Sequence, residues 1–241
     1  MVSPCLKGKH GHQILIQRDY VSAAGAYNDA IERADNDLMI FVHQDMIFPD
    51  LWLSQLNRAL DQLEASDPRW GAVGCYGMTQ DGVGCGCIYS PGRGVIGKPL
   101  EFAAPVQTLD EIVLIFKRSS GLRFDINLPH FHLYGTDICL RALTMGMQSY
   151  VIPAFCVHNA HQYIVLPKEY YECCSHIKRV WREALPIYTT CVSITGSGIA
   201  LYGRRLREAY LRHIRHKAFL APRAKDVSQL LKQAAASMPG M

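Results

Sequence analysis

The chain has 241 residues, of which 49% are hydrophobic and 19% are charged, and its mean hydropathy is +0.01. This composition is typical of a globular domain with a buried core, and it excludes disordered, collagenous and coiled-coil chains. The formal net charge of +4 is unevenly distributed. Residues 203–225 hold eight basic side chains against one acidic one, whereas residues 1–202 hold 16 basic and 19 acidic ones. Residues 1–202, the body of the protein, have an acidic excess and are therefore not expected to bind nucleic acid.

The apolar runs have the length of strands, and none approaches the roughly 18 residues that indicate a membrane-spanning helix. Residues 1–20 lack the apolar segment of a secretory signal. The nine cysteines are an odd number, and most of them lie inside apolar runs. Reduced thiols fit this pattern better than disulfides do, so we expect a cytoplasmic protein.

Strand patterns and helix patterns alternate along the chain. The predicted strands are at 12–17, 38–43, 71–75, 112–116 and 150–157. The predicted helices are at 22–34 with Ser22 as N-cap, after Pro49, and at 136–146, 167–185 and 203–220. This alternation predicts an α/β fold in which helices flank a mostly parallel sheet, with further helices at the C-terminus.

Three polar side chains occur where predicted strands end or a helix begins, namely Asp45, Asp137 and His158. Ligands of open α/β sheets bind outside the carboxyl ends of the strands, so these groups form a candidate site. Asp45 and His158 suit Mn²⁺ or Mg²⁺, and Asp137 suits a general base because a helix N-terminus favours the ionised carboxylate. Each side chain also has a structural interpretation, as a turn residue, a helix cap or a hydrogen-bonded histidine.

Four segments, in order along the chain, resemble motifs of family-2-like glycosyltransferases, and the resemblance covers roughly residues 12–165. The segment 37–45 resembles the strand that ends in the metal-binding D-x-D motif of that family. His43-Gln44-Asp45 in that place looks most like the branch typified by a streptomycin-biosynthesis glycosyltransferase-like domain. The other matching segments are 22–34, 49–53 and 121–141, and a strand closing on His158 follows them.

The resemblance implies a GT-A fold and transfer of a sugar from a nucleotide-sugar donor to an acceptor hydroxyl, by an inverting single displacement. The acceptor is expected to be a glycan, a lipid-linked molecule or a small molecule. Asp45 and His158 would bind a divalent metal, Mn²⁺ or Mg²⁺, on the donor diphosphate, and Asp137 would deprotonate the acceptor. The donor side would be lined by Asn28, His43, Gln44 and Gly135.

The sequence departs from the family pattern at three points. Few residues precede the strand predicted at 12–17, so we expect either a truncated start or the loss of an N-terminal strand of the family. His43 replaces the first acid of D-x-D, where a histidine can still coordinate a metal or contact a ribose hydroxyl, and Thr136 replaces the glutamate of the E-D pair. We expect a core over 1–165, a helical extension packed on it over 166–202, and a basic helix and tail over 203–241.

Two other functions stay open at this point. A non-catalytic GT-A-like protein would bind a nucleotide or glycan without turnover. A metal-dependent hydrolase is less favoured, and its ligands would be His130, His132, His158 and His161. A structural zinc site is also weakly indicated, by the pairs Cys85/Cys87 and Cys173/Cys174.

The basic segment 203–220 places an apolar stripe among arginines. Such a helix can lie on an anionic membrane surface, here the inner face of the membrane, or it can dock by its stripe onto the acidic body. The sequence favours neither alternative. The stripe consists of Leu206, Tyr210, Ile214 and Ala218.

Overall fold

A computed structural model describes residues 3, 11–214 and 219–238. The helices in these ranges are α1 (Ala23–Arg33), α2 (Trp52–Ser66), α3 (Tyr134–Thr144), α4 (Lys168–Val180), α5 (Ile199–His213) and α6 (Val227–Ala236). The strands are β1 (Leu38–Val42), β2 (Met46–Ile47), β3 (Val73–Gly74), β4 (Tyr76–Met78), β5 (Gly84–Ser90), β6 (Gly94–Gly97), β7 (Ala104–Val106), β8 (Thr108–Leu109), β9 (Val113–Lys117), β10 (Ser149–Val151), β11 (Cys156–His158), β12 (Gln162–Tyr163), β13 (Ile187–Tyr188), β14 (Ser193–Ile194) and β15 (Phe219–Ala221).

Two sheets organise the fold. The main sheet has the strand order β1-β9-β3-β10-β7, and the second sheet has the order β2-β11-β5-β4-β8 with β6 added beside β5. Two further pairs, β12–β15 and β13–β14, lie outside these sheets. The α/β class predicted from the alternation of strands and helices is confirmed.

The prediction of a mostly parallel sheet is wrong, because the sheets are mixed and mainly antiparallel. Among the described strands, the parallel pairs are β3–β10 and β5–β11. Consecutive strands β4, β5 and β6 form antiparallel hairpins, since a tight connection cannot carry the chain back to start a parallel strand. β9 then lies antiparallel to both neighbours, with Ile115 opposite Ile40 of β1 and Val73 of β3.

Two predicted strands differ from the structure. Residues 12–17 form no strand, and Ile14 and Ile16 are 62% and 69% exposed. The apolar run 150–157 divides into β10 and β11, which belong to different sheets. Pro153 lies between them, and proline has no N–H group with which to continue a ladder. The run therefore connects the two sheets of the protein.

The main core lies between the helices and the main sheet. The helix predicted after Pro49 is α2, and the leucines at helical spacing in it are Leu53, Leu56, Leu60 and Leu63. Leu56 and Leu63 are buried, whereas Leu53 and Leu60 are only partly buried, because the buried face is shifted to include Trp52 and Ala59. Each large side chain buried in this way contributes about 1.5–3 kcal/mol. The predicted N-cap of α1 is also confirmed, because the Ser22 hydroxyl accepts a hydrogen bond from Gly25 N at 3.2 Å.

The C-terminal part of the chain packs on the same body. The buried side of α4 and the β13–β14 pair join the main core, and α6 forms a second apolar cluster with the second sheet. Within the described ranges, no helix has both the length and the apolar character that crossing a bilayer requires.

The described part of the apolar stripe of α5 faces solvent, so these residues do not dock onto the body, which was one of the two alternatives for this stripe. Leu206, Tyr210 and Ile214 are 55%, 51% and 65% exposed. The opposite face holds the helix in place through Glu208, which accepts a hydrogen bond from the Tyr171 hydroxyl at 2.7 Å. The fourth residue of the predicted stripe, Ala218, lies outside the described residues.

Candidate metal centre

The turn after β1 carries the chain from the main sheet into the second sheet. Met46 N donates to His43 O at 3.2 Å, which reverses the chain at Gln44 and Asp45 and starts β2. β2 pairs antiparallel with β11, so Met46 lies opposite His158, and Asn159 N donates to Asp45 O at 2.9 Å. The register thus brings His158 beside a turn more than a hundred residues earlier in the chain.

His43, Asp45 and His158 form a cluster that can hold a metal ion, since one ligand atom from each lies within 4.8 Å of the others. Asp45 Oδ1 is 3.5 Å from His158 Nε2, and all three side chains are partly exposed. Two imidazoles and one carboxylate suit Mn²⁺ and other first-row transition metals, whereas Mg²⁺ prefers oxygen ligands. His43, which the resemblance placed on the donor side, is therefore a third candidate ligand.

The His43 ring contacts a tyrosine hydroxyl. Its Nε2 is 2.7 Å from the Tyr134 hydroxyl, which is 3.4 Å from Glu111 O. In the tautomer in which Nε2–H donates to this hydroxyl, the Nδ1 lone pair of His43 is available to a metal. Burial and the neighbouring His158 lower the pKa of His43, so its ring is neutral at pH 7, as ligation requires.

The Asp45 carboxylate is held in its ionised form. Burial opposes ionisation, but the hydrogen bond and charge of His158, together with His43 and Arg223, outweigh it and lower the pKa of Asp45. Arg223 Nη2 donates to Asp45 Oδ2 at 2.7 Å. Sequence reasoning missed Arg223 as a site residue, because its only signal was membership of the basic segment 203–225.

Asp137, the predicted base, lies in the core away from this cluster. It is 0% exposed, and its two oxygens accept hydrogen bonds from Arg141 Nε at 2.6 Å and Trp181 Nε1 at 2.7 Å. Arg141 also pairs with Asp125 at 3.0 Å, and Asp125 contacts His176 at 3.0 Å. These residues join α3, α4 and the preceding loop, so the motif around Asp137 forms a structural ion network in this conformation.

The remaining predicted donor-side residues have varied surroundings. The Asn28 side chain donates to Phe124 O at 2.9 Å and accepts from Phe124 N at 3.0 Å, which ties α1 to the loop before α3. A Cβ at Gly135 would lie 2.7 Å from Leu109 O, so glycine permits the start of α3 to pack against that backbone. Gln44 is exposed between the candidate ligands His43 and Asp45.

An acidic pair that the sequence interpretation did not select lies next to the cluster. Asp110 and Glu111 immediately precede Ile112, whose carbonyl accepts from His43 N at 3.2 Å. Burial and the adjacent Asp110 raise the pKa of Glu111 to about 8. A carboxyl group that titrates near neutral pH is a common property of general acids and bases. The pairing of β1 with β9 brings Glu111 beside the cluster, and no sequence motif indicates this position.

Among the described residues, His43, Asp45 and His158 form the one candidate metal group, so the ligands named for the hydrolase and for the zinc site form no further group there. His130 instead contacts Glu172 at 2.7 Å, and the ring of His132 packs beside that of Tyr170. The cysteines in the described ranges are free thiols, as expected.

No family model matches the chain. It is 26% identical to a protein named "ATP synthase subunits region ORF 6" from Fuscovulum blasticum over 135 residues, which are 52% of this chain and 53% of that protein. It is also similar to a solved structure, "Mannosyltransferase PcManGT from Pyrobaculum calidifontis in complex with GDP-Man and Mn2+", with a TM-score of 0.40 and 16% identity. That match covers 90% of this chain and 53% of the other. The chain thus spans about half the length of each protein. Both likenesses are distant, so a functional assignment has to rest on the residues of this chain.

Proposed function

We propose that this protein is a metal-dependent glycosyltransferase that transfers a sugar from a nucleotide-sugar donor to an acceptor hydroxyl. The observation that carries the proposal is the cluster of His43, Asp45 and His158. Two of its residues follow the strand that resembles the D-x-D segment of family-2-like glycosyltransferases. The sequence of this segment, His43-Gln44-Asp45, supports the streptomycin-type branch.

The residues of the cluster have distinct tasks in this reaction. His43, Asp45 and His158 hold the divalent ion, and their two nitrogen ligands favour Mn²⁺ over Mg²⁺. When bound, the ion supplies Lewis-acid stabilisation of the charge on the departing diphosphate. Gln44, exposed between two ligands, can contact the donor directly. Asn28 and Gly135 support the donor side through the packing of the loop and helix around it.

The transfer requires one proton acceptor. In a single inverting displacement, the acceptor oxygen bonds to the anomeric carbon while the bond to the diphosphate oxygen breaks, and the hydroxyl proton passes to a base. The resemblance assigns this task to Asp137, whose burial supports a structural task in the described conformation. Glu111 is the alternative acceptor, because it lies beside the metal cluster and its pKa is near 8.

A donor screen tests the proposal. The full chain is incubated with UDP-, GDP- and dTDP-sugars in Mn²⁺ or in EDTA, and both nucleotide binding and nucleoside diphosphate release are measured. We expect a signal with one donor class in Mn²⁺ that EDTA removes. Absence of any metal-dependent signal with all three donor classes would contradict the proposal.

A non-catalytic nucleotide- or glycan-binding protein is the second candidate. The buried, fully hydrogen-bonded carboxylate of Asp137 favours it, because this conformation denies that residue a substrate contact. The same screen separates the two functions, since a binding protein would retain a nucleotide in Mn²⁺ without releasing diphosphate.

We also propose that α5 contacts an anionic membrane surface, where a lipid-linked acceptor would be found. Its solvent-facing side presents Ile199 and Tyr202, which are 74% and 65% exposed, beside the exposed Leu206 and Tyr210. Arg205 and Arg207 lie on the same helix, and the segment 203–225 is strongly basic. Apolar insertion combined with attraction to anionic headgroups is the mode by which amphipathic helices bind membranes.

Liposome flotation tests this contact. The full chain is expected to float with anionic phospholipid vesicles and to stay in solution with neutral ones. Leu206→Glu should reduce the floating fraction several-fold, because it places a negative charge in the inserted face. Val83→Glu, at an apolar residue that is 62% exposed far from α5 in sequence, is the matched control. Equal recovery of wild type with anionic and neutral vesicles would contradict the membrane contact.

A further inference from the structure

The C-terminal strap, residues 219–238, lies against the metal centre. Its first part, β15, pairs antiparallel with β12, which follows His158 and Asn159 in the chain. The Asn159 side chain then holds the backbone of Ala224, donating to its carbonyl at 3.0 Å and accepting from its N–H at 2.8 Å. Because Asn159 N also bonds to Asp45 O, the strap is tied directly to the turn that carries a candidate ligand.

The helix of the C-terminal strap fixes it further. Leu230 and Ala234 of α6 are 2% and 1% exposed, and they belong to an apolar cluster with Ile47 and Val157. Ile47 and Val157 are paired in β2 and β11, where Val157 precedes His158 and β2 follows the turn that carries Asp45. The helix therefore packs on the strands that bear the site. Its position does not depend on the ion pair described next.

Arg223 extends from the C-terminal strap to the outer oxygen of Asp45. Its Nη2 is 2.7 Å from Asp45 Oδ2, while Oδ1 of the same carboxylate faces His158 Nε2 at 3.5 Å. One oxygen thus remains directed to the histidines. The Arg223 side chain is 41% exposed, and in the part of the chain that the structure describes, Asp45 is its one hydrogen-bonding partner. A guanidinium has five N–H donors, so further donors can meet a ligand in solvent.

The net charge of Arg223 and the metal-loaded cluster favours the binding of an anion. Arg223 balances the charge of the single carboxylate of the cluster, and histidines bind a metal ion as neutral ligands. A divalent ion bound here would leave the centre with an excess of two positive charges. The diphosphate of a nucleotide sugar carries one negative charge on each phosphate, and arginine binds phosphate oxygens through paired N–H groups.

We propose that Arg223 binds the diphosphate of the nucleotide-sugar donor beside the metal held by His43, Asp45 and His158. The C-terminal strap then forms one wall of the donor site. This inference rests on the proposed function for the class of its ligand. The metal and the diphosphate should accordingly bind with positive cooperativity, since each supplies the charge that the other needs.

Two titrations test the inference on the full chain. Mn²⁺ alone is titrated first, and inorganic pyrophosphate, UDP or GDP is then titrated at saturating Mn²⁺, both by calorimetry. Arg223→Gln is expected to weaken diphosphate binding about 10- to 100-fold, because a charge-assisted contact is lost. It should leave the affinity for Mn²⁺ alone unchanged or higher, because a positive charge near the ion is removed. Arg223→Lys should restore part of the diphosphate affinity.

Lys225→Gln is the matched control, since Lys225 is an exposed basic residue of the same strap and its loss changes the net charge equally. It should bind both ligands as wild type does. Equal weakening of Mn²⁺ and diphosphate binding in Arg223→Gln would mean that Arg223 only orients Asp45, which overturns the inference. Wild-type diphosphate affinity in that variant also overturns it, while the proposed function stands. Failure of wild type to bind any diphosphate in Mn²⁺ overturns both.

Discussion

Asp45→Asn is expected to lower the affinity for Mn²⁺ by about 100-fold or more and to abolish metal-dependent donor turnover. Loss of partners that merely orient metal ligands costs about 10- to 100-fold, so loss of the only carboxylate in the cluster should cost at least as much. The amide keeps the size of the side chain, so the fold should be retained. Calorimetric titration of Mn²⁺ measures the affinity, and thermal unfolding monitors the fold.

Asp50→Asn is the control for this experiment. Asp50 is exposed and lies five positions further along the chain, outside the cluster. It should bind Mn²⁺ as wild type does. If Asp45→Asn and Asp50→Asn bound Mn²⁺ with the same affinity as wild type, the cluster would not be a metal site.

The second prediction with a large expected effect concerns Asp137, one of the two candidate bases beside Glu111. Asp137→Asn is expected to lower the free energy of unfolding by about 2–4 kcal/mol, because Arg141 loses a buried charged partner. Urea unfolding measures this loss, and Asp61→Asn, at an exposed residue of α2, is the control. Full stability of Asp137→Asn with complete loss of turnover would instead identify Asp137 as the base.

Glu111→Gln should change the pH dependence of stability and, if Glu111 is the base, the pH dependence of turnover. The pKa of Glu111 is raised from 4.5 to about 8 by burial and by Asp110, so its folded form favours the neutral carboxyl. The contribution of Glu111 to stability should therefore be complete below pH 4.5 and be lost as pH rises through 8, and glutamine should remove this loss. Urea unfolding of wild type and Glu111→Gln at several pH values checks this statement. If Glu111 accepts the proton, turnover rises with pH through about 8 in wild type, and Glu111→Gln abolishes this rise, which a pH–rate profile checks.

Several elements follow from short-range patterns in the sequence. The leucines that recur at helical spacing after Pro49 predict α2, and two of them, Leu56 and Leu63, lie on its buried face, because helical periodicity needs no knowledge of the partner surface. Ser22 predicts the start of α1 for the same reason, since a cap acts within one turn. The run 37–45 likewise predicts a strand followed by a polar turn.

The sequence does not show the surroundings of a residue when these depend on distant partners. The carboxylate of Asp137 lies in the core because Arg141 and Trp181 enclose it, and Trp181 is 44 residues away. Glu111 lies beside the cluster because β9 pairs with β1, which is a matter of register. A polar residue near a strand end looks the same in the sequence whether it faces solvent or an ion network.

By itself, the sequence determined the α/β class, the main helices and the Asp45–His158 pair of the candidate metal site. Only the tertiary structure decided that His43 joins them, that the sheets are mainly antiparallel, and that Arg223 reaches Asp45 from 178 positions away. The physical reason is that periodicity and capping act within a few residues. Register, hairpin connection and the docking of α6 instead depend on surfaces that exist only after the chain has packed.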